Sequence, residues 1–219
     1  MSKVKAHTIY RTLDGKRAPG TTTITNSQLG WKTEALKNWA NRIGLEGIDA
    51  SKYTDDKADI GTLAHEMVTR WLMAESPPAT DDYTKNQIDA AENSALSFHE
   101  WAKGKRLQPI FVEKPLTSEA HRFGGAADIY AIVNDAYELI DLKTGSGIYD
   151  DMFVQVAAYE HLLIEFGYQV DVVRILNIPR SEDERFIEQV LGKQQREVAW
   201  EIFLNCLENY QLRKKLNGR

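Results

Sequence analysis

Asp128, Asp141 and Lys143 stand inside two apolar runs of the stretch GGAADIYAIVNDAYELIDLKTG, Gly124 to Gly145. Each run reads as a buried strand, and Asn134-Asp135 between them reads as a tight turn. In an antiparallel hairpin opposed residues have numbers with a constant sum, so setting Val133 against Ala136 sets Asp128 against Asp141. Opposed residues share a face, with Cβ atoms roughly 4.5–5.5 Å apart. Two carboxylates that close repel unless positive charge lies between them, and a divalent cation supplies it. Lys143, two residues past Asp141, falls on the same face by the strand period of two. The hairpin therefore aims two acidic oxygen ligands and one cationic donor at a single point. A two- or four-residue loop keeps this register, and a three-residue loop would shift it. The plain structural alternative, a buried ion pair, is costly to build and gains little stability, and two carboxylates around one lysine make it costlier.

The rest of the chain must hold this hairpin in place. HTIYRTLDGKRAPGTTTIT reads as a short hairpin with an Asp14-Gly15 turn, and KTEALKNWANRI as a helix with Leu36, Trp39 and Ile43 on one face. An acidic loop is expected next, then a helix from about residue 58 to 74, stopped by Pro77-Pro78. A long polar helix follows from about residue 82 to 103. From LQPIFVEKPL the period becomes that of strands, until DDMFVQVAAYEHLLIEFG returns to a helix closed by Gly167. QVDVVRILNIP reads as a buried strand, RFIEQVL as an edge strand and KQQREVAWEIFLNCLENYQLRKKL as a closing helix. No repeat or linker divides the chain. The expectation is one α/β domain over 1–219, a mixed central sheet flanked by helices. It has a helical part at about 20–105, a sheet core at about 106–190 and a C-terminal helix at about 192–216.

Asp128, then Asp141-Leu142-Lys143, then Gln155 and Tyr159, resembles the signature of the PD-(D/E)XK nucleases, and more narrowly their RecB-like branch. That branch adds a Gln-x-x-x-Tyr helix after the lysine and an upstream Gly-x-x-x-His helix, matched here by Gly61 and His65. Ala127 stands where the family name has proline, and Gly125 matches the glycine more usual in the branch. The resemblance spans roughly residues 20–180 and implies a restriction-endonuclease-like core. It implies that Asp128, Asp141 and the Leu142 carbonyl hold Mg²⁺ or Mn²⁺, with His65 completing the shell and Glu113 as a further ligand. Lys143 would orient the attacking water or stabilise charge on phosphorus, and Gln155 and Tyr159 would orient the site and the strand. The function implied is a metal-dependent deoxyribonuclease, an exonuclease that processes DNA ends or single-stranded regions in recombination, repair or phage replication. A recombinase or single-strand-binding protein is the partner protein that such a role suggests. The alternatives are a structure-specific endonuclease, a hydrolase of small phosphate esters, or a catalytically silent binding module.

Composition narrows the classes. With 42% hydrophobic and 27% charged residues the chain reads as an ordinary globular protein. Its apolar runs are short and its N-terminus has no signal-peptide core, so a cytoplasmic location without a membrane is expected. Cys206 alone excludes a thiolate-held iron–sulfur cluster within this chain, and no phosphate loop for ATP appears. The net charge of −5 argues against wrapping nucleic acid over the whole surface. Basic patches at Lys3, Lys5, Arg11, Lys16 and Arg17 and in QLRKKLNGR are compatible with local phosphate contacts. Arg122, Lys32, Lys37, Arg174 and Arg180 are candidates for strand contacts, and Trp31 and Tyr149 for base stacking.

Overall fold

The computed structural model describes residues 8–218, so Lys3 and Lys5 lie outside the described residues. A two-stranded hairpin, β1 (Tyr10–Arg11) and β2 (Arg17–Ala18), leads into α1 (Thr21–Gln28), α2 (Thr33–Leu45), α3 (Ala50–Leu72) and α4 (Lys85–Ala102). Then come β3 (Leu107–Thr117), β4 (Gly124–Val133), β5 (Ala136–Lys143), α5 (Asp150–Glu165), β6 (Val172–Asn177), β7 (Ile187–Val190) and α6 (Lys193–Leu216). The sheet order is β3-β4-β5-β6-β7. β5 and β6 run parallel with α5 as their crossover, and the other neighbours are antiparallel. This is the expected α/β arrangement, a mixed five-stranded sheet flanked by helices, consistent with a restriction-endonuclease-like core. No described helix is long and apolar enough to cross a membrane.

Strand alternation divides the core. Tyr130, Leu139, Val173 and Ile175 pack with residues of α1, α5 and α6, among them Ile24, Leu162 and Phe203. Ile129, Ala131, Ile140, Leu142 and Leu176 face the other way, toward Val68 of α3 and Phe98 and Trp101 of α4. At roughly 25 cal/mol per Å² of apolar surface removed from water, these two layers supply the main driving force for the fold.

Two sequence expectations need correction. The run TTTIT is not part of the N-terminal hairpin, which ends at Ala18, but the first turns of α1. β-branched residues normally favour strands, yet here Ile24 is fully buried against the sheet. The Thr25 hydroxyl also bonds back to the Thr21 carbonyl at 3.3 Å, as helical threonines do. The acidic segment before residue 58 is likewise no loop but the first half of α3. Asp49 caps it by accepting from the Ser51 and Lys52 amides at 2.9 and 3.2 Å. Within it, Asp56 accepts from Gln87 Nε2 of α4 at 2.9 Å and so ties the segment to the neighbouring helix. α2 forms as expected, but of its anticipated apolar face Ile43 alone is buried, while Leu36 is exposed.

Two glycines let the elements approach closely enough to build a site. A Cβ on Gly125 of β4 would lie 2.6 Å from Tyr159 Cε1 and 2.8 Å from Thr21 Oγ1. A Cβ on Gly61, inside α3, would lie 2.7 Å from Thr144 Oγ1, in the loop that leaves Lys143. Glycine inside a helix costs roughly 1 kcal/mol against alanine. Gly61→Ala should therefore forfeit that gain and destabilise by about 1–3 kcal/mol through overpacking. In a Thr144→Ala background, where the obstructing hydroxyl is gone, the same substitution should stabilise by about 0.5–1 kcal/mol. Chemical denaturation of the four proteins of this double-mutant cycle measures it, and the same sign in both backgrounds would refute the contact.

Candidate active site

Asn134 and Asp135 occupy the β4–β5 turn with φ of 48° and 72°, the left-handed pair that a two-residue primed turn requires. The register follows as expected, from Val133↔Ala136 to Ile129↔Ile140. The ladder stops there, one pair short of Asp128 and Asp141. Beyond that point the Leu142 amide donates to Asp128 Oδ2 at 2.8 Å, so a carboxylate takes up the amide of a strand whose other edge stays paired with β6 through Lys143↔Asn177. Asp128 is thereby fixed at the mouth of the opening, with Asp141 on the strand facing it.

Asp141 is 1% exposed, and both its oxygens are shut off from solvent without accepting a well-directed hydrogen bond. Lys143 Nζ stands 2.6 Å from Asp141 Oδ2, an ion-pair contact. Burial pushes the Asp141 carboxyl up to about 6; Lys143 pulls it down and Asp128 pushes it further up. Desolvation works against the charge on Lys143, but Asp141, and after it Asp128, outweigh that and raise its pKa, so the ammonium is retained. His65, on α3, brings Nδ1 to 3.8 Å from Asp128 Oδ2. That is too long for a hydrogen bond, yet within the roughly 4.2 Å that two ligands of one Mg²⁺ can span.

Gln155 and Tyr159 lie one turn apart on α5, and Gln155 Nε2 donates to Tyr159 Oη at 2.7 Å. Burial, and secondarily the charge of Asp141, drives the Tyr159 phenol well above its ordinary pKa, so it stays a neutral donor. Glu113 occupies the β3 position across from Asp128, where the ladder passes from Val112↔Ile129 to Lys114↔Ala127. Its φ of 46° is a left-handed conformation that costs a non-glycine residue of order 1–3 kcal/mol. His65, Gly61, Glu113, Thr144, Lys57 and Arg180 line one open cleft of about 540 Å³. The structure thus gathers Asp128, Asp141, Lys143 and His65 at the end of β4–β5, with Tyr159 behind Gly125 and Glu113 on the cleft wall.

Among the described residues, no three His, Cys, Asp or Glu side chains close a metal shell by themselves. Mg²⁺ does not need one: it is held through one or two carboxylates, and water and substrate phosphate complete the octahedron. Two aspartates at the same end of the hairpin, one of them wholly buried with Lys143 as its ion-pair partner, suit such an ion.

Most of the expected strand contacts are engaged in ion pairs, Arg180 while also lining the cleft beside His65. Arg174 pairs with Glu138 at 2.7 Å and with Glu188, Arg180 pairs with Glu184, and Arg122 holds Asp14 at 2.9 Å. Lys32 lies 2.6 Å from Asp151 Oδ1 and over the Tyr149 ring. Asp151, whose charge helps hold Lys143 protonated, went unnoticed in the sequence; its signal was the Asp150-Asp151 pair opening α5. Asn177 was missed too: fully buried, it donates to the Gly145 and Arg185 carbonyls and so ties down the loop after Lys143.

The raised pKa of Asp141 has a signed consequence. A carboxyl whose folded pKa exceeds its unfolded value contributes stability that is present below the unfolded pKa and lost as pH rises through the folded one. In chelator, the stability of Asp141→Asn minus that of wild type should therefore grow between about pH 4 and 6.5, by on the order of 2 kcal/mol. Urea titrations across that range read it, and a flat or falling difference would mean that Asp141 is not held neutral by burial.

No protein-family model matches the chain, and no curated protein matches it. Among solved structures it is similar to a candidate exonuclease from Eubacterium rectale, with 14% identity over 73% of this chain and 68% of that one, at a TM-score of 0.48. It is also similar to the protein SSO0001, with 15% identity over 65% of this chain and 73% of that one, at a TM-score of 0.28.

Proposed function

We propose that the protein is a divalent-metal-dependent deoxyribonuclease, and that it acts as an exonuclease on DNA ends. The observation that carries this reading is the placement of Asp128, Asp141 and Lys143 around one opening at the end of β4–β5, with the Asp141 oxygens buried and lacking directed hydrogen bonds. A structural ion pair needs one carboxylate for one lysine. The second carboxylate and the nearby imidazole are an expense that stability does not explain.

Asp128 and Asp141 would hold Mg²⁺ or Mn²⁺, with the Leu142 carbonyl, His65 and Glu113 as further candidates for the shell. When bound, the ion supplies Lewis-acid polarisation of the scissile phosphate and a lowered pKa for a water. Lys143, kept charged by its two carboxylates, orients the attacking water or stabilises charge developing on the phosphoryl oxygens. Asp141 releases its proton near pH 6, so it is ionised at neutral pH and ready to serve as a ligand. Tyr159, a neutral phenol steadied by Gln155, offers its hydroxyl toward the same site without competing for a cation. Asp151, paired with Lys32, adds negative charge behind Lys143.

Digestion of linear and covalently closed circular DNA with Mg²⁺, Mn²⁺ or chelator tests the reading. Metal-dependent loss of linear DNA alone is expected, with Asp141→Ala abolishing it and Lys143→Ala lowering kcat about 10²–10³-fold. Cutting of the circle would make it an endonuclease. DNA binding without cleavage of any DNA would overturn the reading in favour of a binding module. Independently of turnover, Mg²⁺ or Mn²⁺ at a hundred times its Kd should stabilise the wild type by about 2.7 kcal/mol. Asp128→Asn/Asp141→Asn should lose that gain in thermal denaturation.

A further inference from the structure

We propose that a second cleft, between the β1–β2 hairpin, the start of α1 and the end of α6, seats the phosphate backbone of the DNA strand entering the active site. This rests on the nuclease reading above and names the surface that would guide its substrate. The cleft measures about 640 Å³, and its charged lining consists of Arg17 and Lys214. The hydroxyls of Thr22 and Thr23 and the rings of Tyr10 and Tyr210 complete its character. No acidic side chain lines it among the described residues, although the chain as a whole carries a net charge of −5. A cleft that excludes the majority charge of its own protein selects an anion, and cations with hydroxyls and aromatic rings are what a nucleic-acid backbone and its bases engage. Lys214 Nζ lies 5.3 Å from the centre of the Tyr210 ring, a cation–π contact between two residues of the lining.

Continuity with the candidate active site gives the cleft its direction. Tyr10, in its wall, lies on Gly124: a Cβ there would fall 2.1 Å from Tyr10 Cγ. Gly20, also in the wall, bridges to Gly124, and the next residue, Gly125, carries the ring of Tyr159. Tyr10 stands close enough to Tyr159 to contribute to its raised pKa, together with Asp141 and Asp128. From Gly124 to Asp128 is four residues of strand, about 13 Å, or roughly four base steps of a DNA strand. The cleft wall and the two aspartates are thus joined through β4, with the rings of Tyr10 and Tyr159 packed on the strand between them.

Arg17 and Lys214 are exposed, so replacing them leaves the core intact. The test is fluorescence anisotropy of a labelled single strand in chelator, over about 50–200 mM salt. It uses wild type, Arg17→Glu/Lys214→Glu, and Lys103→Glu/Arg106→Glu as a control of equal charge change. The control site lies at the opposite end of β4, where the Arg106 amide bonds Asn134. The cleft variant should bind roughly tenfold more weakly than the control, with a salt slope lower by about one for each contact removed. Equal binding by cleft variant and control would overturn the cleft as a strand seat. The nuclease reading would then stand or fall on whether wild type hydrolyses linear DNA and bis(p-nitrophenyl) phosphate with Mn²⁺. If wild type neither binds the strand nor hydrolyses either substrate, both proposals fail together.

Discussion

The carboxylate of Asp141 is buried at the end of a sheet whose ladder to β4 has just stopped, and its charge has to be answered locally. In a low-dielectric site an isolated carboxylate would rather take up a proton, which is why its pKa rises to about 6. Lys143 answers part of the charge from the same strand, and Asp128 aggravates it from the opposing one. The arrangement is electrostatically unfinished, with two carboxylates, one ammonium and an imidazole at 3.8 Å. Its neighbours keep this imbalance in place. The Leu142 amide fixes Asp128, Asn177 ties down the loop beyond Lys143, and the Lys32–Asp151 pair supports Lys143 from α5.

Close backbone approach is the second constraint. Gly61 lets α3 press against Thr144, so His65, one helical turn later, arrives beside Asp128. Gly125 lets the Tyr159 ring lie on β4 next to Thr21. Both glycines sit inside regular elements, where glycine is unfavourable, and each gives up stability to bring a candidate site residue into range. Glu113 tells the same story through its backbone: a left-handed glutamate across from Asp128 is a strained residue at the wall of the cleft.

The cationic residues divide by location rather than by number. Arg174, Arg180, Arg122 and Lys32 are tied to Glu138, Glu184, Asp14 and Asp151 in pairs that link β5 to β6, brace the loops and hold the α5 start. Arg17 and Lys214 line a cleft without acidic neighbours among the described residues. Pairing partners are contributed by distant segments, so which arginine is structural and which faces a ligand is a property of the folded surface.

Local patterns already carried much of the architecture. The turn residues Asn134-Asp135 and strict alternation set the register as far as Ile129↔Ile140 and so brought Asp128 and Asp141 to the same end of the hairpin, because a two-residue primed turn leaves no freedom of register. The strands before α5, α5 itself and the closing helix were legible for the same reason, each having a period of two or of 3.6 over its length. Where propensity and packing disagreed, packing won. TTTIT became helix because Ile24 could be buried against the sheet, and the acidic segment became the start of α3 because Asp49 caps it and Asp56 meets Gln87. The candidate ligands were readable as residue types at set spacings, but their distances were not. How far His65 stands from Asp128, that Asp141 lies wholly buried, and that Arg17 and Lys214, nearly 200 residues apart in the chain, line one cleft depend on contacts between remote segments. Periodicity determines which face a residue occupies; only the docking of one element on another decides what stands opposite it.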